Sequence, residues 1–254
     1  MSLAISPRRL ARAYLLEARF ECLRMMRSPI FTILALVMPL LMYAFLGVYL
    51  DCILDKAPPA KIATVFGHWC VFSVMWPGMF GFGASVAIER DQGLLALKRA
   101  MPVPLAAYLF AKALMSVLFG AIASILVAAA CALFTQSSLT FGQYAEAIAI
   151  STLGALLFAA IGLFVGSRAT AQHVTGMMYL VYIPVMLLAG LFFPVPQAIK
   201  LVSPAFYLDQ LLAYRVGGAA TGSQLAYVAI LVALTALLTA LSIRRLTKNA
   251  TTST

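Results

Sequence analysis

Charge is scarce in this sequence. Of its 254 residues, 10% are Asp, Glu, Lys or Arg, while 63% are hydrophobic. A soluble domain carries roughly 25% charged residues to keep its surface hydrated. The shortfall excludes an ordinary soluble globule and points to the bilayer as the solvent. Cysteine is sparse as well. Cys22, Cys52, Cys70 and Cys131 show no CxxC spacing and no accompanying histidine cluster, so no metal site is expected. Cys52 and Cys70 both fall near one side of the expected membrane, where a disulfide is possible but nothing supports one. The nucleotide-binding pattern GxxxxGK[ST] is missing, so the chain does not hydrolyse ATP by that machinery. HExxH and GxSxG are missing too, and His68 and Ser85 lie roughly 25 Å apart along one helix, too far for a dyad. No catalytic constellation emerges.

What is present is a series of long apolar runs. About 20 helical residues cross ~30 Å of hydrocarbon, and lipid cannot satisfy an open backbone, so each run is expected to be a helix. The runs are 30–50, 62–88, 113–134, 147–166, 174–193 and 225–243. They predict an all-α integral membrane protein of six transmembrane helices in one domain, 1–254. Lys56, Lys61, Lys200 and Arg215 fall on one side of this arrangement and the other fourteen of 18 Lys and Arg on the other. The basic side is the expected cytoplasmic side, with both termini there. The excess of positive charge is read as this bias. No basic stripe interleaved with aromatics suggests nucleic acid.

Two further segments stand out. Residues 7–28 predict an interfacial helix ahead of the first span, opened by Pro7 and broken at Ser28-Pro29. Ala11, Leu15, Ala18, Cys22 and Met25 share one face, and Leu16, Phe20 and Leu23 form a second patch. One patch is expected in the lipid interface and the other is free for a protein partner. Residues 194–224 are too apolar for a free loop and too short for two spans. They predict a re-entrant outer hairpin before the last span. Gly81 to Ser85 and the Gly162-x3-Gly166 pair are expected to mark close helix packing. Charges are nearly absent from span centres, and Lys112 and Glu146 are expected to reach water from span ends. That argues against a proton- or ion-coupled carrier.

The most informative stretch is the loop 89–104 with the residues after it. Glu89-Arg90-Asp91-Gln92-Gly93 closes the second span, Leu94 to Arg99 form a short Leu- and basic-rich helix, Pro102 ends it, and Lys112 opens the third span. Gly93 allows a sharp turn, and the short helix is two-sided. This stretch resembles the first cytoplasmic loop of ABC-2 type transporter permeases. Leu94 stands where that family usually has Thr. Pro204-Ala205-Phe206-Tyr207 resembles the family's outer segment. The resemblance implies a permease subunit of a bacterial ABC exporter in the cytoplasmic (inner) membrane, with the short helix as a cytoplasmic coupling helix on a separate ATPase. Coupling residues would be Glu89, Arg90, Asp91, Gly93, Leu94, Leu95, Leu97, Lys98, Arg99 and Pro102. It implies two ATP-binding subunits that carry ATP and Mg, no cofactor on this chain, and a second copy of this chain or a related permease. The second and fifth spans would border the path. His68, Phe72, Met75 and Met79 on one face, with Tyr179, Tyr182 and Met186, are the candidate lining for an apolar or amphipathic cargo such as a drug, lipid or glycan. Rival readings are an ion- or proton-coupled secondary carrier, an intramembrane enzyme, and a non-transporting membrane assembly factor.

Overall fold

The computed structural model describes residues 7–54, 56, 58–100, 104–218 and 220–251. The described residues are helical or irregular, with no strand among them. Five helices are long and apolar enough to cross a membrane, and a sixth apolar helix is shorter. The chain is therefore an all-α integral membrane protein.

Helix α1, Pro7–Met26, comes first. Ser28 is extended and Pro29 sits at the first helical position, so α1 breaks there and α2, residues 29–54, begins. Parts of α2 are wound in wider π turns, Ile33–Val37 and Tyr43–Leu54, around the intrahelical Pro39. Helix α3, Pro59–Asp91, runs straight through Pro77, and its turns widen from Pro77 to Ala84. Helix α4 is the short Leu94–Ala100 segment.

Helix α5, Leu105–Phe134, starts two turns earlier than the expected Ala113. The expectation stopped at Lys112 because a bare charge ends an apolar run. The helix continues through it because Lys112 is paired. Helix α6, Phe141–Gly166, likewise starts before 147, opened by a capping box of Thr140 and Gln143. Helix α7, Val174–Leu188, is shorter than the expected 174–193. The chain turns at Ala189 and Gly190, and the last residues of the expected span are irregular. A single turn α8, Gln197–Lys200, and then α9, Pro204–Val216, come next. Helix α10, Gln224–Thr251, closes the fold.

Among the described residues five helices qualify as membrane crossings, and the shorter α7 is a sixth candidate. Ala171, before α7, donates to Asp91 at one end of α3. After α7, Gly190 and Lys200 lie beside His68 near the other end. His68 and Asp91 are 23 residues apart on one helix, roughly 35 Å. Short as it is, α7 connects the two ends.

Helices α3 and α6 cross at backbone distance. A Cβ on Gly83 or Gly166 would collide with the opposing backbone, and one on Gly162 would lie 2.6 Å from the Met79 carbonyl oxygen. Only glycine fits there. In lipid such close packing replaces the hydrophobic effect as the source of cohesion. The main core fills the space around this crossing with Phe66, Trp69, Val74, Phe158, Leu208 and Leu212. Leu208 of α9 reaches Gly154, roughly 20 Å from the start of α6. The outer segment is thus tucked between helices, and Ser203 fixes it by donating to the Val185 carbonyl at 2.6 Å. Cys70 and Cys131 are free buried thiols.

Candidate functional site

The run Glu89-Arg90-Asp91 occupies the last turn of α3, where successive side chains point about 100° apart. Each of the three does something different. Glu89 turns inward and is 4% exposed. It accepts from Tyr108 at 2.7 Å and Lys112 at 2.9 Å, and pairs with Arg24 of α1 at 2.5 Å. Lys112 is wholly buried. Its ammonium also donates to Glu21 of α1 at 2.7 Å and Ser85 at 2.8 Å, so all three protons are used. Arg24 returns to Glu21 at 2.7 Å. Burial opposes the Arg24 charge, but Glu21 and Glu89 outweigh it and hold the guanidinium above its ordinary value. Two carboxylates and two cations balance, which is the condition under which buried ions are tolerated.

Arg90 turns toward α6. It donates to the carbonyls of Ser167 at 3.0 Å and Ala169 at 2.5 Å, which would otherwise be orphaned past the end of that helix. Asp91 braces Arg90 at 3.0 Å and accepts the Ala171 N–H at 2.6 Å. The acidic-basic-acidic run therefore ties α3 to α1, α5 and the α6–α7 connection. Gly93 then adopts φ +76 with open space around its Cβ position, so it is needed for its backbone angle rather than for room.

That turn launches α4 with its faces fixed. Leu95 is 2% exposed and packs with Phe82, Val86, Tyr108 and Leu246. Lys98 pairs with Glu17 of α1 and lies 4.6 Å over the Tyr108 ring. Burial and the nearby Lys112 push the Lys98 ammonium below its ordinary value, even with Glu17 facing it. Leu94 and Leu97 are left outward, Leu97 60% exposed. The Arg99 side chain and Pro102 lie outside the described residues.

Lys112 was expected to reach water, and that is corrected: it has none. Sequence reasoning also missed Glu17, Glu21, Arg24 and Ser85. A signal existed. A lysine seven residues into a 30-residue apolar helix needs a buried acid, and the sequence has only eight acidic residues.

The candidate path residues divide. Phe72 and Tyr182 face each other, ring centres 6.4 Å apart. Tyr179 lies 4.8 Å from Phe80, and Met186 packs at the edge of the core. Met75 and Met79 are fully buried inside the chain. Trp76 and Phe80, stacked at 4.0 Å on either side of Pro77, pack against Tyr179 and Tyr182 of α7. The Trp76 indole N–H is buried with no acceptor among the described residues. His68 stands apart. It lies 3.5 Å from Asp209 of α9, beside a cavity of about 190 Å³ that Lys200 and Thr64 also line. Among the described residues no group of acids, histidines and cysteines could hold a metal.

No curated protein matches the chain. The family described as ABC-2 type transporter matches residues 13–214, from within α1 to within α9 and across the whole polar joint around Glu89. The chain belongs to the ABC-2 type transporter family, as a non-catalytic membrane-spanning permease subunit that works with an ABC ATP-binding subunit.

Proposed function

We propose that this permease is half of an ATP-driven exporter, with α4 as its coupling helix. The observation that carries this is the orientation of α4. Leu95 and Lys98 clamp it to the body, while Leu94 and Leu97 are left 38% and 60% exposed. A short helix presenting two leucines suits a groove on a partner. Its clamp reaches α1, α3 and α5 together, so a push on α4 is delivered to three helices.

On this reading the arginine-rich end is cytoplasmic, α7 completes six crossings, and both termini lie on the cytoplasmic side of a bacterial inner membrane. Two ATP-binding subunits carry ATP and Mg, and a second permease copy or a related chain completes the path. The aromatic row of Phe72, Trp76, Phe80, Tyr179 and Tyr182 supports an apolar or amphipathic cargo. The free indole N–H offers one polar handle.

The buried Glu21–Lys112–Glu89 cluster favours a second reading, a proton-coupled carrier, because such carriers use buried carboxylates. Its placement speaks against that. The cluster lies at one end of the bundle, and every Lys112 proton already has an acceptor.

Affinity capture of the tagged chain from native membranes in mild detergent, with mass spectrometry of the co-purifying proteins, tests the proposal. A stoichiometric partner carrying a nucleotide-binding loop is the expected result. A lone chain driving transport in vesicles on a proton gradient without ATP would return the carrier to first place.

A further inference from the structure

Helix α1 has two acidic residues, Glu17 and Glu21, and both are used internally, by Lys98 and by Lys112 with Arg24. Its inner face packs on α5: Tyr14 lies 5.6 Å from Phe110, and Cys22 and Met25 pack with Met115 and Phe119. The outer arc, about 140° wide at 100° per residue, is left with one sign of charge. It carries Arg12, Arg19 and Arg27, all exposed and none in an ion pair among the described residues. Between them stand Leu15, Leu16, Phe20, Leu23 and Met26, each more than a third exposed.

We propose that this arc is a binding surface for anionic lipid headgroups. Three observations favour lipid over a protein groove. First, α1 lies alongside the opening turns of a membrane span, from Phe110 to Phe119 of α5. Second, the neighbouring exposed residues of that span, Phe110, Leu118 and Ile122, are uncharged and apolar, as lipid-facing residues are. Third, the helix ends where α2 enters the membrane, and Thr32 donates to the Met25 carbonyl to hold it there. A helix at that depth, with apolar residues and arginines mixed on one arc and no acid, matches an anionic interface. The arginines can reach up to phosphates while the leucines and Phe20 enter the acyl boundary.

The surface has a mechanical consequence. Glu17 and Glu21 connect this helix directly to α4 and to Lys112. Lipid held on one side of α1 therefore sets the position of the joint on its other side. The inference goes beyond the exporter reading, and its lipid titration needs neither ATPase nor cargo.

The test is native mass spectrometry of the full-length chain in mixed micelles, titrated with phosphatidylglycerol and phosphatidylcholine of the same acyl chains. The chain is expected to prefer phosphatidylglycerol by up to about a hundredfold. Arg12→Gln, Arg19→Gln and Arg27→Gln should each reduce that preference, by up to about fivefold per arginine. The triple Gln variant should approach no preference, and the triple Lys variant should keep most of it. A triple Gln variant that elutes as a single species yet retains the wild-type preference would overturn the proposal. So would a wild-type chain with no preference. A triple Gln variant that keeps its lipid preference but no longer retains the ATPase would assign the arc to a protein partner instead.

Discussion

The two ends of this bundle are held by different physics. At the arginine-rich end, Glu21, Arg24, Glu89 and Lys112 form a closed set of charges from α1, α3 and α5, with each Lys112 proton used. At the other end the ion pairs among the described residues are longer, His68 with Asp209 at 3.5 Å beside a small polar cavity and the exposed Arg215 with Glu146 at 3.7 Å. Between them the helices are held by glycine crossings and stacked aromatics. A balanced charge cluster with Glu21, Glu89 and Lys112 buried and Arg24 at its rim has one good arrangement and resists partial opening. Apolar packing and long ion pairs tolerate sliding. The difference suits a machine whose joint moves as a unit while the path beyond it changes shape.

The largest effect should come from unbalancing the joint. Lys112→Met leaves two buried carboxylates with only Arg24 between them and should cost about 3–5 kcal/mol. The readout is the thermal melt of the detergent-purified chain. Adding Glu21→Gln and Glu89→Gln to it should recover much of the loss. A Lys112→Met protein that melts like the wild type would erase the contrast between the two ends. Next, Leu95→Ala should cost about 2–5 kcal/mol by opening a cavity under α4. Leu97→Ala, whose side chain touches little, should stay within about 0.5 kcal/mol. Equal melts for the two would mean that α4 is not clamped as described. Tyr108→Phe removes one hydrogen bond to an ionised Glu89 and should cost about 1.5–3 kcal/mol. Among the polar contacts the smallest effect belongs to the far end. Asp209→Asn should change stability by about 1 kcal/mol or less, since water in the adjoining cavity can replace a long, weak pair. A larger loss there would make both ends equally rigid.

The sequence showed the membrane class and the motif of the joint clearly, because both are local. Apolar runs mark α2, α3, α5, α6 and α10 by length alone, and Glu89 to Gly93 can be read as a turn with charges fanning around it. The partners of those charges were not legible. Glu17 lies 81 residues before Lys98 and Glu21 lies 91 before Lys112, and in isolation α1 reads as a surface helix. The same separation hid the start of α5, since Lys112 ends an apolar run only if nothing neutralises it. The path lining was harder to read. A 3.6-residue period placed Met75 and Met79 on one face with Phe72; both methionines lie inside the chain, while Trp76 and Phe80 face α7. From Pro77 to Ala84 the turns widen, so one helix period does not serve the whole of α3.

The central claim is that the outward face of α4 is where the ATP-binding subunit seats. The most direct measurement is co-purification of that subunit with Leu94→Asp/Leu97→Asp, compared with the wild-type chain at matched membrane levels. The account predicts that the double variant inserts and melts normally but retains a tenth or less of the partner, on the order of 1.4 kcal/mol of lost docking. Undiminished retention would contradict it and place the ATPase elsewhere on the permease.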